Sequence, residues 1–597
     1  MKVWMVVKGY LGVFLASVLV ASGMLAVQQR TLLASMRQPV APATMTVEFD
    51  VVLKPRNEAL LLANAWARSQ QPPGHYLTPA QFGRDYAPSP VIQDMVSDYF
   101  HEYGMKTGAV WPGGLVMPVT GTVAQATAAL GVAFDRARLS GGRSVAVADT
   151  YPAKLSSSID GHIAGITGLF ANGYFPVASR KAKGVPRIRS AAGASTISCS
   201  GLRRDNSPRL GYAPAVVARY YHLPRSITRH SVTVGIAEFA DVTSAASTAL
   251  GASLLRYARC VGEPLHLATV AVDGGSGNTG RSHLEEAALD IETLLSYAPG
   301  VHLLVYTASS GNANALYLRM VSQDKASILL TTWGTCEANT PPQQLSIEQL
   351  AFAQAALQGQ TVVAASGDDG SSDCLATGHN AGLAVDNPAS QPMVTGVGGE
   401  EFTSALDAKT TPSVWNDATY SGASGGGLSQ VFSEPSYQRG VYSEVGRAAL
   451  HCRLQSGCRL VPDVAMIAVG AKIDVPGRGW TLLGGTSLAA SVFAAGLADL
   501  ESHANVRLGL VNPWLYSLDA RTGVFTSVQR GGNDFRRLHP GQFRVTGRYS
   551  LATGLGSPNF ALLMDALKRR IQPQVPQPYA WVRSRMTFHL RELLERF

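Results

Sequence analysis

Charged residues are scarce in this chain, and several familiar sequence patterns are missing. Asp, Glu, Lys and Arg make up 15% of the 597 residues, and the formal net charge of +9 is small for this length. No dense block of Lys and Arg with interleaved aromatic residues occurs, so nucleic acid is not expected as a partner. Beyond the N-terminus, no segment is long and apolar enough to span a bilayer.

Cysteine is also rare, and six cysteines fit either a few disulfides in an oxidising compartment or ordinary buried thiols. Two of them are close enough in sequence to bridge a short loop, and two more follow predicted strand ends and could pair. The candidate pairs are Cys452 with Cys458 and Cys336 with Cys374, and Cys199 and Cys260 remain.

The N-terminus has the pattern of an export signal. Lys2 and Lys8 precede an apolar stretch over residues 9–27, and Ala21 and Gly23 offer a possible cleavage point. The stretch approaches the roughly 20 residues that span a bilayer, so residues 1–28 are a signal peptide or an uncleaved anchor. Either interpretation predicts a secreted or extracytoplasmic protein, which is membrane-anchored before processing if the segment is retained.

The chain contains 46% apolar residues, 60 glycines and 32 prolines, which indicates a sizeable core with many turns. Over residues 209–572, short apolar strands alternate with helical stretches, which predicts an α/β domain with a mostly parallel sheet flanked by helices. Residues 45–182 mix strands and capped helices and predict a small α+β domain. The predicted strands of the larger domain lie at 231–237, 301–306, 328–333 and 361–365.

Two segments flank this large domain. Residues 183–208 carry scattered Lys and Arg among Gly, Ala, Ser and Pro and predict an exposed linker, either an ordinary tether or a maturation site. Residues 573–597 form a basic, proline-started tail that is either solvated or in weak contact with a membrane or partner.

A glycine-rich turn that leads into a helix lies at residues 484–498. Ser487 is expected near the helix start, where free backbone N–H groups favour developing negative charge. A serine in such a place can act as a nucleophile if a base is nearby. The alternative is an N-cap serine without chemistry.

The predicted helix at 283–292 carries two acids on one face. Glu286 and Asp290 are four residues apart, whereas Glu285 aligns with Leu289. Paired acids on a buried face would share a proton and raise an apparent pKa, and the alternative is a solvated acidic face. A third acid, Asp368, follows the predicted strand at 361–365, where a protonated carboxyl could donate to an oxyanion or simply belong to a turn.

Together these segments resemble the sedolisin (serine-carboxyl peptidase) family, whose members have a subtilisin-like fold and a Ser-Glu-Asp triad. The segment Gly484-Gly485-Thr486-Ser487 matches the nucleophile motif, residues 286–290 match the acid pair, and residues 366–368 match the oxyanion segment. The resemblance implies that Ser487 is the nucleophile, Glu286 the general base, Asp290 its orienting partner and Asp368 the oxyanion donor.

The resemblance reaches further along the chain. Glu238 and Trp333 resemble the outer partners of the family's acid network, and residues 75–89 and 119–122 resemble its activation prodomain, in a kumamolisin-like order. It therefore implies polypeptide substrates, endopeptidase action, inhibition by the chain's own prodomain and self-processing. A carboxylate base and a protonated Asp368 both predict a pH optimum below neutrality.

Two positions depart from the family pattern. Ser491 stands where the family usually has proline, a change expected to be tolerated in the first helical turn. The family's calcium site uses two aspartates, which Ser527 and Ser550 replace here. Because calcium prefers anionic oxygen ligands, weak or absent calcium binding is predicted unless Asp534 substitutes.

Two rival functions remain. A histidine-based subtilisin is disfavoured because none of the 13 histidines lies in a His-Gly-Thr-His-like frame, and His283 is interpreted as structural. The other rival is a non-catalytic relative that acts as a binding module, against which the four intact site residues argue.

Overall fold

The computed structural model describes residues 40–138, 144–148, 155–169, 175–176, 180–181, 199–224, 231–277, 280–309, 312–375, 382–417, 422–518, 523–539, 543–545 and 547–572. The predicted signal peptide or anchor at 1–28 and the tail at 573–597 lie outside these residues. Within them, no helix combines the length and apolarity that a membrane crossing needs.

The N-terminal unit extends to residue 169. Its strands are β1 (Thr46–Leu53), β2 (Lys106–Thr107), β3 (Val116–Thr122), β4 (Phe134–Arg138), β5 (Ser144–Ala148) and β6 (Ile163–Thr167). Four of them form a sheet with strand order β2-β3-β1-β6, and β4 pairs with β5 separately. Its helices are α1 (Glu58–Ser69), α2 (Pro79–Tyr86), α3 (Pro90–Glu102), α4 (Val123–Leu130) and α5 (Ser157–Asp160). Thr78 and Thr122 form complete capping boxes at the starts of α2 and α4, as the sequence predicts. The unit is the small α+β domain that was expected.

The remaining elements belong to the large domain, except that the first two strands lie in the segment that connects it to the N-terminal unit. The strands are β7 (Phe175–Pro176), β8 (Arg180–Lys181), β9 (Asn206–Ser207), β10 (Gly211–Tyr212), β11 (Thr233–Glu238), β12 (His266–Ala271), β13 (His302–Thr307), β14 (Ile328–Thr331), β15 (Trp333–Cys336), β16 (Thr361–Ala365), β17 (Asp386–Asn387), β18 (Thr395–Glu401), β19 (Ser413–Val414), β20 (Asn416–Asp417), β21 (Gly422–Ala423), β22 (Gly427–Ser433), β23 (Cys458–Val461), β24 (Val464–Ile467), β25 (Ala471–Val475), β26 (Gly479–Gly484), β27 (Phe525–Thr526) and β28 (Ser557–Pro558). The helices are α6 (Ser200–Arg204), α7 (Pro214–Tyr220), α8 (Ala249–Val261), α9 (Arg281–Tyr297), α10 (Ala313–Gln323), α11 (Pro342–Gln358), α12 (Thr486–Ala504), α13 (Asn512–Ser517) and α14 (Phe560–Ile571).

The main sheet has strand order β12-β13-β11-β14-β16-β18-β19, and β24 also pairs with β18. Every pairing is parallel except that of β18 with β19. The central strands β14 and β16 are buried along their whole length, because helices cover both faces of the sheet. The fold is therefore the subtilisin-like α/β arrangement that the sequence predicts.

The N-terminal unit packs against α10 and α11 of the large domain. A single hydrophobic cluster contains residues from both, including Phe82 and Trp111 from one side and Tyr317 and Phe352 from the other. Backbone groups also join them, since the Leu77 N–H donates to Leu357 O at 2.9 Å. The two units thus share a core.

The cysteines form three disulfides, Cys199–Cys260, Cys336–Cys374 and Cys452–Cys458, which confirms the candidate pairs. The first bridge corrects the predicted linker at 183–208. Residues 182–198 lie outside the described residues, but Leu202 is buried against Tyr257 and Cys260, and Arg203 donates to the carbonyl of Cys260. Residues 199–208 therefore belong to the large domain, because the disulfide and these contacts hold them on α8.

Candidate active site

Helix α9 buries the acid pair that was predicted to share one face. Glu286 and Asp290 are both 0% exposed, which rules out the solvated acidic face. Burial raises the pKa of Asp290 well above its ordinary value, and the nearby Glu286 raises it further. Glu285 points elsewhere and forms an ion pair with Arg478 at 3.3 Å.

Glu238, at the carboxyl end of β11, extends this acid group. Its Oε2 accepts a hydrogen bond of 3.0 Å from Trp333 Nε1. Burial raises the pKa of Glu238 well above its usual range, and Asp290 and Glu286 add to the increase, so the three carboxyls lie near one another. The His283 ring stacks on Trp333 with centroids 5.0 Å apart, and burial lowers the pKa of His283, in keeping with a structural role.

Asp290 also accepts hydrogen bonds from two hydroxyl groups. Thr332 Oγ1 donates to Asp290 Oδ2 at 2.7 Å, and Ser491 Oγ donates to Asp290 Oδ1 at 2.9 Å. Ser491 lies in the second turn of α12, because this helix begins at Thr486; the expectation that it lies in the first turn is wrong. Sequence reasoning missed both donors, since neither belongs to a motif that predicts a partner.

Helices α9 and α12, which carry the candidate site residues, run in the same direction. Both begin near the carboxyl edge of the main sheet: Asp290 is bonded to Thr332, which follows β14, and the start of α12 is bonded to Asp368 after β16. Both end near the opposite edge, where Glu501 of α12 accepts a hydrogen bond from Ser327 before β14 and α9 leads into β13.

This shared direction relates the positions of Ser487 and Glu286 along the two helices. Ser487 lies one turn before Ser491, and Glu286 lies one turn before Asp290. The hydrogen bond between Ser491 and Asp290 joins the two helices, and Ser487 and Glu286 each precede this contact by one turn, on the side of the sheet's carboxyl edge. Ser487 Oγ is buried and makes no hydrogen bond within the described residues.

Asp368 holds the turn at residues 484–487, which we call the nucleophile turn after the expected role of Ser487. Strand β26 ends at Gly484, Gly485 follows with φ of 134°, which favours glycine, and α12 begins at Thr486. The backbone N–H and the hydroxyl of Thr486 both donate to Asp368 Oδ1, each at 2.8 Å. The Asp368 carboxyl, 3% exposed, therefore lies beside the residue that precedes Ser487.

Two short backbone segments pair with strands that carry or adjoin the site residues. Strand β7 pairs antiparallel with β15, so that Phe175 is opposite Gly334. Strand β8 pairs antiparallel with β26, so that Arg180 is opposite Gly484. The chain that leaves the N-terminal unit thus runs from the strand that carries Trp333 to the strand that leads into the nucleophile turn.

The residues at the family's calcium position do not fit a calcium ion. Ser550 Oγ accepts a hydrogen bond from the Ala552 N–H at 3.1 Å, and Asp534 Oδ1 accepts one from the His539 N–H at 2.8 Å. Within the described ranges, no group of three or more His, Cys, Asp or Glu residues is arranged to hold a metal. Hydroxyls in place of carboxylates lack the charge that calcium prefers.

Comparisons with known proteins find similar sequences for both units. The sequence-family model described as "Pro-kumamolisin, activation domain" matches residues 34–171. Kumamolisin from Bacillus sp. (strain MN-32) is 32% identical over 386 residues, which span 61% of this chain and 65% of that protein. Sedolisin from Pseudomonas sp. (strain 101) is 28% identical over 516 residues and 82% of each chain. Tripeptidyl-peptidase 1 from Canis lupus familiaris is 28% identical over 402 residues, 62% of this chain and 68% of that one.

A solved structure gives the same result for the fold. Pseudomonas sedolisin (serine-carboxyl proteinase), complexed with two molecules of pseudo-iodotyrostatin, matches with a TM-score of 0.53 at 26% identity, over 61% of this chain and 99% of that chain. The chain is therefore similar to the sedolisin family of serine-carboxyl peptidases over most of its length, with a match to an activation domain before a sedolisin-like large domain.

Proposed function

We propose that this protein is the precursor of an exported peptidase that cleaves peptide bonds through Ser487, Glu286 and Asp290, with Asp368 at the oxyanion. The observation that supports the proposal is the Ser491–Asp290 hydrogen bond between two parallel helices, since Ser487 and Glu286 each precede one of its partners by one turn. The predicted N-terminal signal and the three disulfides support export, because disulfides persist in oxidising compartments.

In the proposed reaction, Glu286 removes the proton of Ser487 Oγ as this oxygen attacks the substrate carbonyl carbon. Protonated Asp368 and the Ser487 N–H at the helix start donate to the oxyanion. Glu286 then protonates the departing amine, and water, activated by the same carboxylate, releases the acyl group. Asp290 and Glu238 hold Glu286 within a buried network that keeps its charge changes away from solvent.

This chemistry implies activity in acid. A carboxylate base functions at a lower pH than an imidazole, whose ordinary pKa is about 6.5. Asp368 must also keep its proton in order to donate. We therefore expect a rate maximum below neutrality, and a maximum at neutral or alkaline pH would contradict the proposal.

The activation domain is proposed to inhibit the enzyme through the segment that contains β7 and β8. These strands hold the backbone of residues 175–176 on β15, which carries Trp333, and that of residues 180–181 on β26, which leads into the nucleophile turn. Self-processing would cut this connection. Since Cys199 is tied to Cys260, we expect the mature N-terminus to begin after Pro176 and no later than Cys199, rather than at Arg203 or Arg204.

The decisive experiment compares the wild type with Ser487→Ala as full-length precursors brought to acid pH. We expect the wild type to shorten and to cleave a denatured protein substrate, and Ser487→Ala to stay full length and inactive. N-terminal sequencing of the shortened form tests the predicted cut. A Ser487→Ala precursor that processes itself would overturn the assignment of the nucleophile.

The same preparation tests the rival function and the mode of cleavage. A wild type that stays intact and binds peptides without cleaving them would favour the non-catalytic binding module. Mass spectrometry of an N-terminally blocked peptide would show internal cuts if the enzyme is an endopeptidase, as we propose, and no cuts if it requires a free N-terminus.

A further inference from the structure

One face of strand β1 joins the N-terminal unit to the large domain. Side chains alternate along this strand, so that Phe49 and Val51 lie in the core of the N-terminal unit, whereas Val52 lies in the cluster shared with α10 and α11. Asp50 is on the same face as Val52 and is 1% exposed. A carboxyl group is therefore buried in the contact between the two units.

The large domain brings a second carboxyl to this contact. Thr167 of β6 is the register partner of Asp50, and its hydroxyl donates to Asn312 Oδ1 at 3.0 Å. Asn312, which precedes α10, in turn donates its amide to Asp273, which follows β12. These hydrogen bonds cross from one unit to the other and end at an acid near Asp50. The Oδ2 atom of Asp50 is buried and makes no hydrogen bond within the described residues.

The charged groups that act on Asp50 carry an excess of negative charge. They are Glu48 on β1, Asp273 in the large domain and Arg319 on α10, whose guanidinium lies over the Trp111 ring, 4.6 Å from its centroid. Burial raises the pKa of Asp50 well above its ordinary value, Asp273 raises it further, and Arg319 opposes part of the increase. Burial also raises the pKa of Asp273, on which Glu48 and Arg319 act with the same signs.

We propose that the contact between the N-terminal unit and the large domain holds one proton between Asp50 and Asp273, and that this proton makes the contact tighter in acid than at neutral pH. The partner that fits this surface of the large domain is thus the chain's own N-terminal unit in its protonated form. The consequence rests on the proposed function: after self-processing in acid, the severed unit stays on the enzyme longer than it would without this pair of acids.

Separation of the two units changes the surroundings of both carboxyls. Once Asp50 and Asp273 face water, their pKa values return toward the ordinary value of 3.8. Between that pH and the higher pKa in the contact, the bound state keeps a proton that the separated state has released. Binding therefore weakens as pH rises across this interval, by up to about tenfold per pH unit for one proton.

The test separates the two units without any activity of the enzyme. A Ser487→Ala precursor receives the recognition sequence of a site-specific protease between residues 181 and 199, is cut with that protease, and is immobilised through its large domain. Biolayer interferometry then measures the dissociation rate of the N-terminal unit from pH 4.5 to 7.5. The variants are Asp50→Asn and Asp273→Asn, which keep the size of the side chain and lack the acid proton. Asp94→Asn, at an exposed position on α3, is the control.

The expected result is a ratio that changes with pH. We expect the dissociation rate of the parent, divided by that of Asp50→Asn at the same pH, to rise roughly three- to tenfold per pH unit above pH 4.5, because the parent alone depends on the shared proton. Asp273→Asn should give the same result, and Asp94→Asn should follow the parent. A ratio that is constant or that falls with pH would overturn the proposal. If Asp50→Asn does not fold, Asp273→Asn decides by the same criterion.

The Ser487→Ala background makes this outcome independent of the proposed catalysis. A rising ratio in a protein whose wild type cleaves no substrate would contradict the peptidase proposal alone. A flat ratio in a protein whose wild type is an active peptidase would contradict the proton-linked contact alone.

Discussion

Thr486 holds one oxygen of the Asp368 carboxyl. Thr486 donates both its backbone N–H and its hydroxyl to Asp368 Oδ1. An oxygen that accepts two hydrogen bonds is a poor place for a proton, so a protonated Asp368 carries its hydrogen on Oδ2. An asparagine in the same place would keep the accepting oxygen and would present an amide N–H in place of the acid proton.

This geometry predicts different effects for two substitutions at position 368. Asp368→Ala should lower kcat by roughly 10²–10³-fold, the usual loss when one oxyanion donor is removed. Asp368→Asn should retain more activity and move the alkaline limb of the kcat profile to higher pH, because an amide does not lose its proton. A pH series of kcat for both variants checks this, and an unmoved alkaline limb in Asp368→Asn would show that another group sets it.

The four site residues could be proposed from the sequence because each lies in a short motif. Glu286 and Asp290 also obey helical spacing, and their burial follows from the apolar residues around them. The Ser491–Asp290 bond could not be found, since its partners are 201 residues apart and a serine carries no signal for a distant acceptor. The expectation that the change from proline would simply be tolerated overlooked the donor that the serine supplies.

In the C-terminal loops, a carboxylate holds the turn before Ser550, one of the two residues that replace the family's calcium-binding aspartates. Glu444, on the 3₁₀ helix Tyr442–His451, accepts hydrogen bonds from the N–H groups of Arg548 and Tyr549 at 3.1 and 3.0 Å. It also pairs with the Arg548 guanidinium at 3.3 Å. These residues come directly before Ser550, so a carboxylate from another segment fixes the turn.

We therefore expect stability to depend on Glu444 rather than on calcium. Addition of EDTA should leave the Tm of the precursor unchanged, because Ser527 and Ser550 supply no charged ligands. Glu444→Ala should lower the free energy of unfolding by about 1–3 kcal/mol, since it leaves two backbone N–H groups without their acceptor. Differential scanning calorimetry with and without EDTA measures both effects, and a lower Tm in EDTA would show that calcium binds after all.

At the scale of the elements, sequence patterns predicted four strands of the main sheet but missed the edge strand β12 and the buried strands β18 and β24. The strand at 361–365 is observed with those bounds, whereas the strand predicted at 328–333 is divided at Thr332 into β14 and β15. Thr332 uses its hydroxyl to bond Asp290, and no local pattern indicates that interruption. Strand β12 was not predicted because it forms the sheet edge and its residues are mostly exposed, which weakens the apolar pattern.

At the scale of the whole molecule, the sequence predicts two units but not how they meet. Tyr76 of the N-terminal unit donates its hydroxyl to Leu508 O at 2.8 Å, and its ring leaves no room for a side chain at Gly359, where a Cβ would come within 2.4 Å. Such contacts depend on surfaces built from distant segments. The shared core means that loss of the activation domain would expose apolar residues of α10 and α11.

Buried carboxyls distributed through the large domain make the stability of the molecule depend on pH. Burial raises the pKa of Glu400 and of Glu401 to about 8 and that of Glu501 to about 7, from an ordinary value of 4.5. Glu400 is fully buried and accepts a hydrogen bond of 2.6 Å from Tyr221 Oη. Between pH 4.5 and 8 the folded chain therefore holds protons that the unfolded chain has released, so its stability falls as pH rises.

We accordingly expect the Tm of the Ser487→Ala precursor to decrease as pH rises from 4.5 to 8, the interval between the unfolded and folded pKa values. Each proton retained by the folded state contributes about 1.4 kcal/mol per pH unit to this decline. Glu400→Gln removes one such proton and keeps an oxygen for Tyr221, so its Tm should fall less steeply, whereas Glu58→Gln at an exposed position should follow the parent. Thermal unfolding followed by circular dichroism across this pH range provides the measurement. A Tm that rises toward neutrality would mean that the buried carboxyls are ionised in the folded protein, and an enzyme stabilised in that way would not be adapted to acid.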